Sequence, residues 1–118
     1  MNIETFREYC LQKKGVTEEF PFDEQTLVFK VMGKMFALSG LERMPSQVNL
    51  KCNPERGIAL REEYDGFIIP GYHMSKTHWN TLFIESLPEK LILELTDHSY
   101  DLVVAKLTKK LKTALDNL

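Results

Sequence analysis

The stretch TLVFKVMGKMFALSG, Thr26 to Gly40, constrains the fold more than any other part of the chain. Leu27, Phe29 and Val31 alternate with Val28, Lys30 and Met32, which is the period of a strand rather than a helix. Gly33-Lys34 supplies a turn, with Gly at the first central position as a type II′ geometry asks. MFALSG is the returning strand. Both faces of this hairpin are largely apolar, so it belongs near the centre of a sheet.

The flanking segments extend that reading. Ile3, Phe6, Cys10 and Leu11 form an apolar stripe at helical spacing, and Gly15 stops the helix behind Lys13 and Lys14. VTEEFPFDEQ reads as a linker, with Pro21 keeping its neighbour extended. In SQVNLKC, Val48, Leu50 and Cys52 share one strand face, while Asn49 and Lys51 share the other. NPERGIALREEY opens a helix, with Asn53 as N-cap, Pro54 at the first helical position and Glu55 at the positive end. DGFIIPGYHMSKTHWNTLFIES reads as two strands around a turn, Trp79, Thr81 and Phe83 facing one way and Leu82 and Ile84 the other. From Ser86 onward the chain is helical, Ser86 serving as N-cap. The cap-like TDHS at 96–99 predicts two or three helices rather than one.

The order is thus α-β-β-β-α-β-β-α-α. Short connections between successive strands favour antiparallel pairing. The expected fold is α+β, a two-layer sandwich: an antiparallel sheet of about five strands with helices packed on one face. At 118 residues the chain makes one domain, residues 1–118, large enough to be stable without disulfides or metal. Its two cysteines, Cys10 and Cys52, lie far apart and outside any CxxC motif, as in a reducing compartment. The N-terminus has no signal-peptide pattern and no run approaches a membrane span, so a cytoplasmic protein without a membrane partner is expected.

One loop concentrates the polar chemistry. PGYHMSKTHWNT, Pro70 to Thr81, holds two histidines, a lysine, a tyrosine, an asparagine and the only tryptophan. With MSKT as the turn, His73 and His78 would face each other across a hairpin. A zinc site wants three or four protein ligands, and no spacing brings Cys52, His98 or a carboxylate to complete one. Glu18, Glu19, Asp23 and Glu24 cluster after the first helix, but a carboxylate run is usually a solvated surface. Cys52 falls on a core face, which argues for burial rather than activation. VMGKMF lacks the glycine pattern of a phosphate loop. No metal, no cofactor and no enzyme activity are therefore expected.

Several blocks in order, PFDEQTLVFKVMGKMFAL, NLKCNPE, LREEY, PGYHMSKTHWNT and DHSYDLVV, resemble the MmcQ/YjbR family of small bacterial proteins over nearly the whole chain. The resemblance implies a sandwich of the frataxin (CyaY-like) type. It also implies DNA binding, a label that rests on a double-wing structural motif. It implies no established catalysis. The loop departs from the family pattern in one place: Thr77 stands where a second lysine would precede the histidine and tryptophan.

The residues give that label a physical form. Alternation puts Lys30, Asn49, Lys51, Trp79 and Thr81 on the sheet face away from the helices. Lysines would meet phosphates there and the ring would stack on or wedge between bases. The expected DNA-binding set is Lys30, Lys34, Lys51, Tyr72, His73, Lys76, His78 and Trp79, the histidines donating hydrogen bonds to phosphate. A net charge of −2 means that any basic surface must be local. The alternative is a small anionic ligand or a protein partner on the same face, with Arg61, Tyr72, His73 and Asn80 as contacts. Lys106, Lys109 and Lys112 recur every third residue on what reads as one helical face, taken as ordinary helix-end cations.

Overall fold

The computed structural model describes residues 1–71 and 74–118. The elements run α1 (Ile3–Leu11), β1 (Val16–Glu19), β2 (Thr26–Val31), β3 (Lys34–Gly40), β4 (Gln47–Lys51), α2 (Pro54–Glu63), β5 (Ile68–Pro70), β6 (Trp79–Phe83), α3 (Glu89–Ala105) and α4 (Lys109–Asp116). The strands form one antiparallel sheet in the order β1-β2-β3-β4-β6-β5. The expected α+β sandwich is what the chain forms, with the β2–β3 hairpin inside the sheet. The sheet has six strands rather than five: Val16 to Glu19, read as linker, pairs with β2 at Val16↔Val31 through Glu19↔Val28. That strand is a polar edge, VTEE, too short for its alternation to show.

The hairpin turn is shifted by one residue. Met32 and Gly33 both have positive φ, 50° and 82°, and Val31 pairs with Lys34. Positive φ at both central positions is type I′ rather than type II′, the turn whose twist suits a hairpin. Lys34 therefore starts β3 instead of lying in the turn.

Register and alternation divide the sheet into two faces. Leu27, Phe29, Val31, Val48, Leu50, Ile68 and Leu82 belong to the core with the helices. Phe6 of α1 meets Phe29 edge-on at 5.9 Å, and Tyr100 of α3 meets Phe36 edge-on at 5.5 Å. Leu115 of α4 joins the same cluster. Each fully buried aliphatic or aromatic side chain of this kind is worth roughly 1.5–3 kcal/mol. The other face carries Lys30, Met35, Leu38, Gln47, Asn49, Lys51, Trp79 and Thr81, and no helix covers it.

α3 is one continuous helix from Glu89 to Ala105, so TDHS is not a break. Its N-cap is Pro88, without a side-chain cap bond, in place of the expected Ser86. The cap-like residues at 96–99 point their polar groups elsewhere. Thr96 Oγ1 donates back to the Ile92 carbonyl at 2.7 Å. Asp97 accepts from Lys13 and from the Tyr9 hydroxyl of α1. His98 Nε2 accepts the Asn53 backbone N–H at 3.1 Å, just ahead of α2. Ser99, fully buried, accepts the Lys51 N–H at 2.9 Å and donates to the Phe36 carbonyl at 2.5 Å.

The Ser99 bridge has a clear cause. The β2–β3 register shifts between Phe29 and Lys30, which pair with Ala37 and Met35 and leave Phe36 unopposed. Such a bulge frees backbone groups and bends the strand. The β3–β4 ladder stops at Ala37↔Leu50, and the Ser99 hydroxyl takes up the carbonyl and N–H beyond it. At the other end of the short ladder, the Ser39 hydroxyl donates to the Gln47 carbonyl at 2.7 Å.

Two outcomes are expected from this row of α3. Ser99→Ala strands two buried backbone groups, each costing about 1–3 kcal/mol, so urea unfolding should show a loss of roughly 2 kcal/mol or more. His98 must be neutral at Nε2 to accept its bond, and burial, reinforced by the Arg56 charge, holds its pKa below the ordinary value. The unfolded chain then takes up the proton first. The contribution is whole above the unfolded value of about 6.5 and is lost as pH falls through the lower folded value. His98→Gln keeps an acceptor without titrating; its urea midpoint should change less between about pH 7 and pH 5 than that of the parent.

Candidate nucleic-acid interface

Lys51 and Trp79 are register partners across β4 and β6, on the helix-free face. The Lys51 ammonium lies 6.0 Å from the Trp79 ring centroid, at the outer limit of a cation–π contact. The Trp79 side of the pair is tightly held. Its N–H donates to the Ser75 carbonyl at 2.9 Å and its carbonyl accepts the Gly71 N–H at 2.8 Å. Cys52 N–H donates to the His78 carbonyl at 2.8 Å, which carries the β4–β6 pairing past the end of the strand. Only 8 % of Trp79 is exposed, so the ring is a wall beneath Lys51 rather than a platform offered to solvent.

Beyond the Ser99 bridge, the ends of β3 and β4 border a notch. Its pocket, about 370 Å³, is lined by Lys34 and Met35 of β3, Lys51, Trp79, and Val103, Lys106 and Leu107 at the end of α3. A second pocket of about 240 Å³ shares Lys51 and Lys106 and adds Cys52, Asn53, Pro54, His78 and Leu102. Neither lining contains a carboxylate. Among the described residues none of Lys34, Lys51 and Lys106 is ion-paired, whereas Lys13 and Lys30 are. Lys106 was not expected here. It caps α3, and the chain breaks before α4, so it shares no helical face with Lys109 and Lys112. Only the packing of α3 on the sheet brings it beside Lys51, and no spacing in the sequence signals that.

The other expected contacts divide. Lys30 lies 3.5 Å from Glu19 on the neighbouring edge strand and away from the notch. Lys76 and His78 are exposed in the loop before β6, His78 lining the second pocket. Tyr72 and His73 lie outside the described residues. Arg61 and Asn80 are joined on the helix side of the sheet: Arg61 Nη1 donates to Asn80 Oδ1 at 2.7 Å, and Asn80 Nδ2 donates to the Gly57 carbonyl at 3.4 Å. They tie α2 to β6, on the face opposite Lys51 and Trp79.

The residues considered for other chemistry are committed elsewhere. Burial pushes the Cys10 thiol up to about 12 and raises that of Cys52, which disfavours the thiolate in both. Glu18 is bridged twice by Arg7 at 2.6 Å. Asp23 accepts the N–H groups of Gln25 and Thr26, which hold its carboxyl below the usual range. Among the described residues no group of three histidine, cysteine or acidic side chains is placed to hold a metal ion. No helix among them is long and apolar enough to cross a membrane.

The family model YjbR matches residues 11–102. The chain belongs to the YjbR family. It is 36% identical over 108 residues to the uncharacterized protein YbdF of Escherichia coli O157:H7, covering 91% of this chain and 88% of that one. It is 32% identical to the uncharacterized protein YjbR of Escherichia coli K12 over 120 residues, the whole of both chains. Among solved structures, Deinococcus radiodurans protein DR2400, a domain of family DUF419, superposes with a TM-score of 0.90 at 39% identity, covering 98% of this chain and 88% of that one. A Pseudomonas syringae protein superposes with a TM-score of 0.74 at 28% identity, covering 86% of this chain and 98% of that one.

In this YjbR chain the notch depends on a close approach at Gly71. A Cβ there would lie 2.7 Å from the Trp79 Cβ and 2.9 Å from its carbonyl oxygen. Neither atom can swing aside, because both belong to the rigid start of β6. Gly71→Ala should cost about 1–3 kcal/mol in unfolding and shift the emission of Trp79, the only tryptophan, as the ring is displaced. Gly33→Ala meets no atom within 4 Å and should leave that emission unchanged, its cost being confined to the positive φ.

Proposed function

We propose that this YjbR-family protein binds DNA, and that it does so by holding backbone phosphates at the notch between β3, β4 and the end of α3. The observation that carries the reading is the convergence of Lys34, Lys51 and Lys106, from three separate elements, on adjoining pockets with no carboxylate in their walls. Cations gathered without counter-charges favour an anionic occupant, and a phosphodiester takes ammonium groups as point charges. Lys51 is the central contact, because it lines both pockets and is backed by Trp79. His78, exposed beside Lys106 in the second pocket, is a further donor. Lys76, exposed in the same loop, extends the footprint. Trp79 supports Lys51 in this reading, and Lys30, paired with Glu19, contributes little.

Phosphate contacts position a protein on DNA but read no sequence, so the affinity is electrostatic and indifferent to base order. Neutralising about three phosphates gives a slope of log K on log salt of roughly −2 for single strands and close to −3 for duplex. Anisotropy of labelled DNA between about 50 and 200 mM salt measures it. Lys51→Ala, Lys34→Ala and Lys106→Ala should each weaken binding and lower the slope by about one. Absence of binding at micromolar protein in low salt, or a triple variant that binds like the parent, overturns the proposal.

A further inference from the structure

The sheet face without helices is not bare. Val28, Trp79 and Thr81 lie on it and are at most 8 % exposed. Residues of the loops at 20–25 and 41–46, together with Met74 and Ser75, border a central pocket of about 430 Å³ on it. Its floor is Met35, Leu38, Gln47 and Asn49; Phe22 and Met74 stand in its walls. The volume falls in the range of small-ligand sites, which are mostly apolar with a few polar groups that orient the occupant.

The polar lining is the Gln47 and Asn49 amides of the floor, with Thr26, Ser75, Asp23 and Arg43 around them. Gln47 and Asn49 are two apart on β4 and so face the same way. Asn49 Oδ1 accepts from the Thr81 hydroxyl, which fixes the amide and leaves Nδ2 to donate. The Gln47 side chain makes no hydrogen bond among the described residues. An amide offers a donor beside an acceptor, which matches the edge of a heterocyclic base. The apolar share of the lining is two thioethers, a leucine and a phenylalanine, which suit the faces of a flat ring. Asp23, the acidic group of the wall, is saturated by Gln25 and Thr26. A flat occupant with a hydrogen-bonding edge fits the floor, and the planar Arg43 guanidinium in the wall suits the face of such a ring. Met35 lines both this pocket and the lysine notch, so the two adjoin.

We infer that the open-face pocket receives a single unstacked nucleobase, with the phosphate of the same strand on the notch lysines. This rests on the phosphate reading above and adds to it a preference for unpaired strands, since a paired base cannot turn out of its stack without cost.

Five labelled or free probes separate the possibilities: a mixed-sequence single strand, an abasic strand of equal length, a duplex of equal length, and free nucleosides and indole followed by the methyl resonances of Met35 and Met74. The single strand should bind about tenfold or more tighter than the abasic strand, in line with the worth of one base contact. Gln47→Leu, which breaks no bond of the fold, should shrink that advantage and leave abasic binding unchanged. Nucleosides should shift both methionine methyls, and indole, a ring without the amide-like edge, should not. Equal binding of abasic and base-containing strands overturns the base pocket and leaves the phosphate reading standing. If no strand binds but nucleosides do, the phosphate reading fails, and with it the joint site. Shifts by indole equal to those by nucleosides overturn the nucleobase class in favour of a general aromatic slot.

Discussion

The Ser99 hydroxyl is the contact on which the arrangement of this protein turns. A bulge at Phe36 leaves β3 with a carbonyl that its neighbour cannot reach, and β4 ends with the Lys51 N–H in the same condition. An unpaired buried backbone group costs as much as a lost hydrogen bond. Water could satisfy both, but only by entering the core. A hydroxyl from α3 does it without water, because it can accept and donate at once. The consequence is geometric. α3 is fixed at the point where the two strands stop pairing, and its last turn, with Val103 and Lys106, is carried into the gap they leave. The lysine notch is therefore a product of the same defect in the ladder that the helix repairs.

The distribution of charge follows the packing. Arg7 with Glu18, Lys13 with Asp97, Lys30 with Glu19 and Arg56 with Glu94 are paired around the edge strand and the helices. These bridges are mostly exposed, so each adds little to stability. They hold four of the seventeen acidic residues away from the notch. A protein with net charge −2 can still present a concentrated positive site when no acidic group lines it.

Much of the fold was legible, and the failures share a cause. Period-two alternation located β2, β3, β4 and β6, and Asn53-Pro54 located the start of α2, because these signals depend on neighbours in sequence. TDHS misled because serine, threonine and aspartate favour helix ends only when their side chains satisfy local backbone groups. In α3 three of the four residues reach other elements instead, a use that no local rule distinguishes from a cap. β1 was missed because an edge strand of four residues has one face on α1 and too few positions to show a pattern. At the site, the expected face was correct for Lys51 and Trp79. Arg61 and Asn80, expected as ligand contacts on that face, instead bind each other on the helix side. Lys106 was invisible as a contact because its place depends on the length of α3, and that length depends on the misread segment.

β4 explains how one small sheet can support both a core and a site. Val48 and Leu50 enter the core with full burial or nearly so, 0 % and 2 % exposed, and they hold the strand's twist and height. Gln47, Asn49 and Lys51 alternate with them on the other face, at successive spacings of about 6.6–6.8 Å set by the backbone. Groups placed on a strand in this way keep their separation better than groups on a loop, because the core residues between them are locked by packing. The loops at 20–25 and 41–46 and the segment 74–78 can then differ in length or composition without moving those three side chains. Changes in the loops alter what reaches the strand, and changes in Val48, Leu50 or Ser99 alter where the strand itself stands.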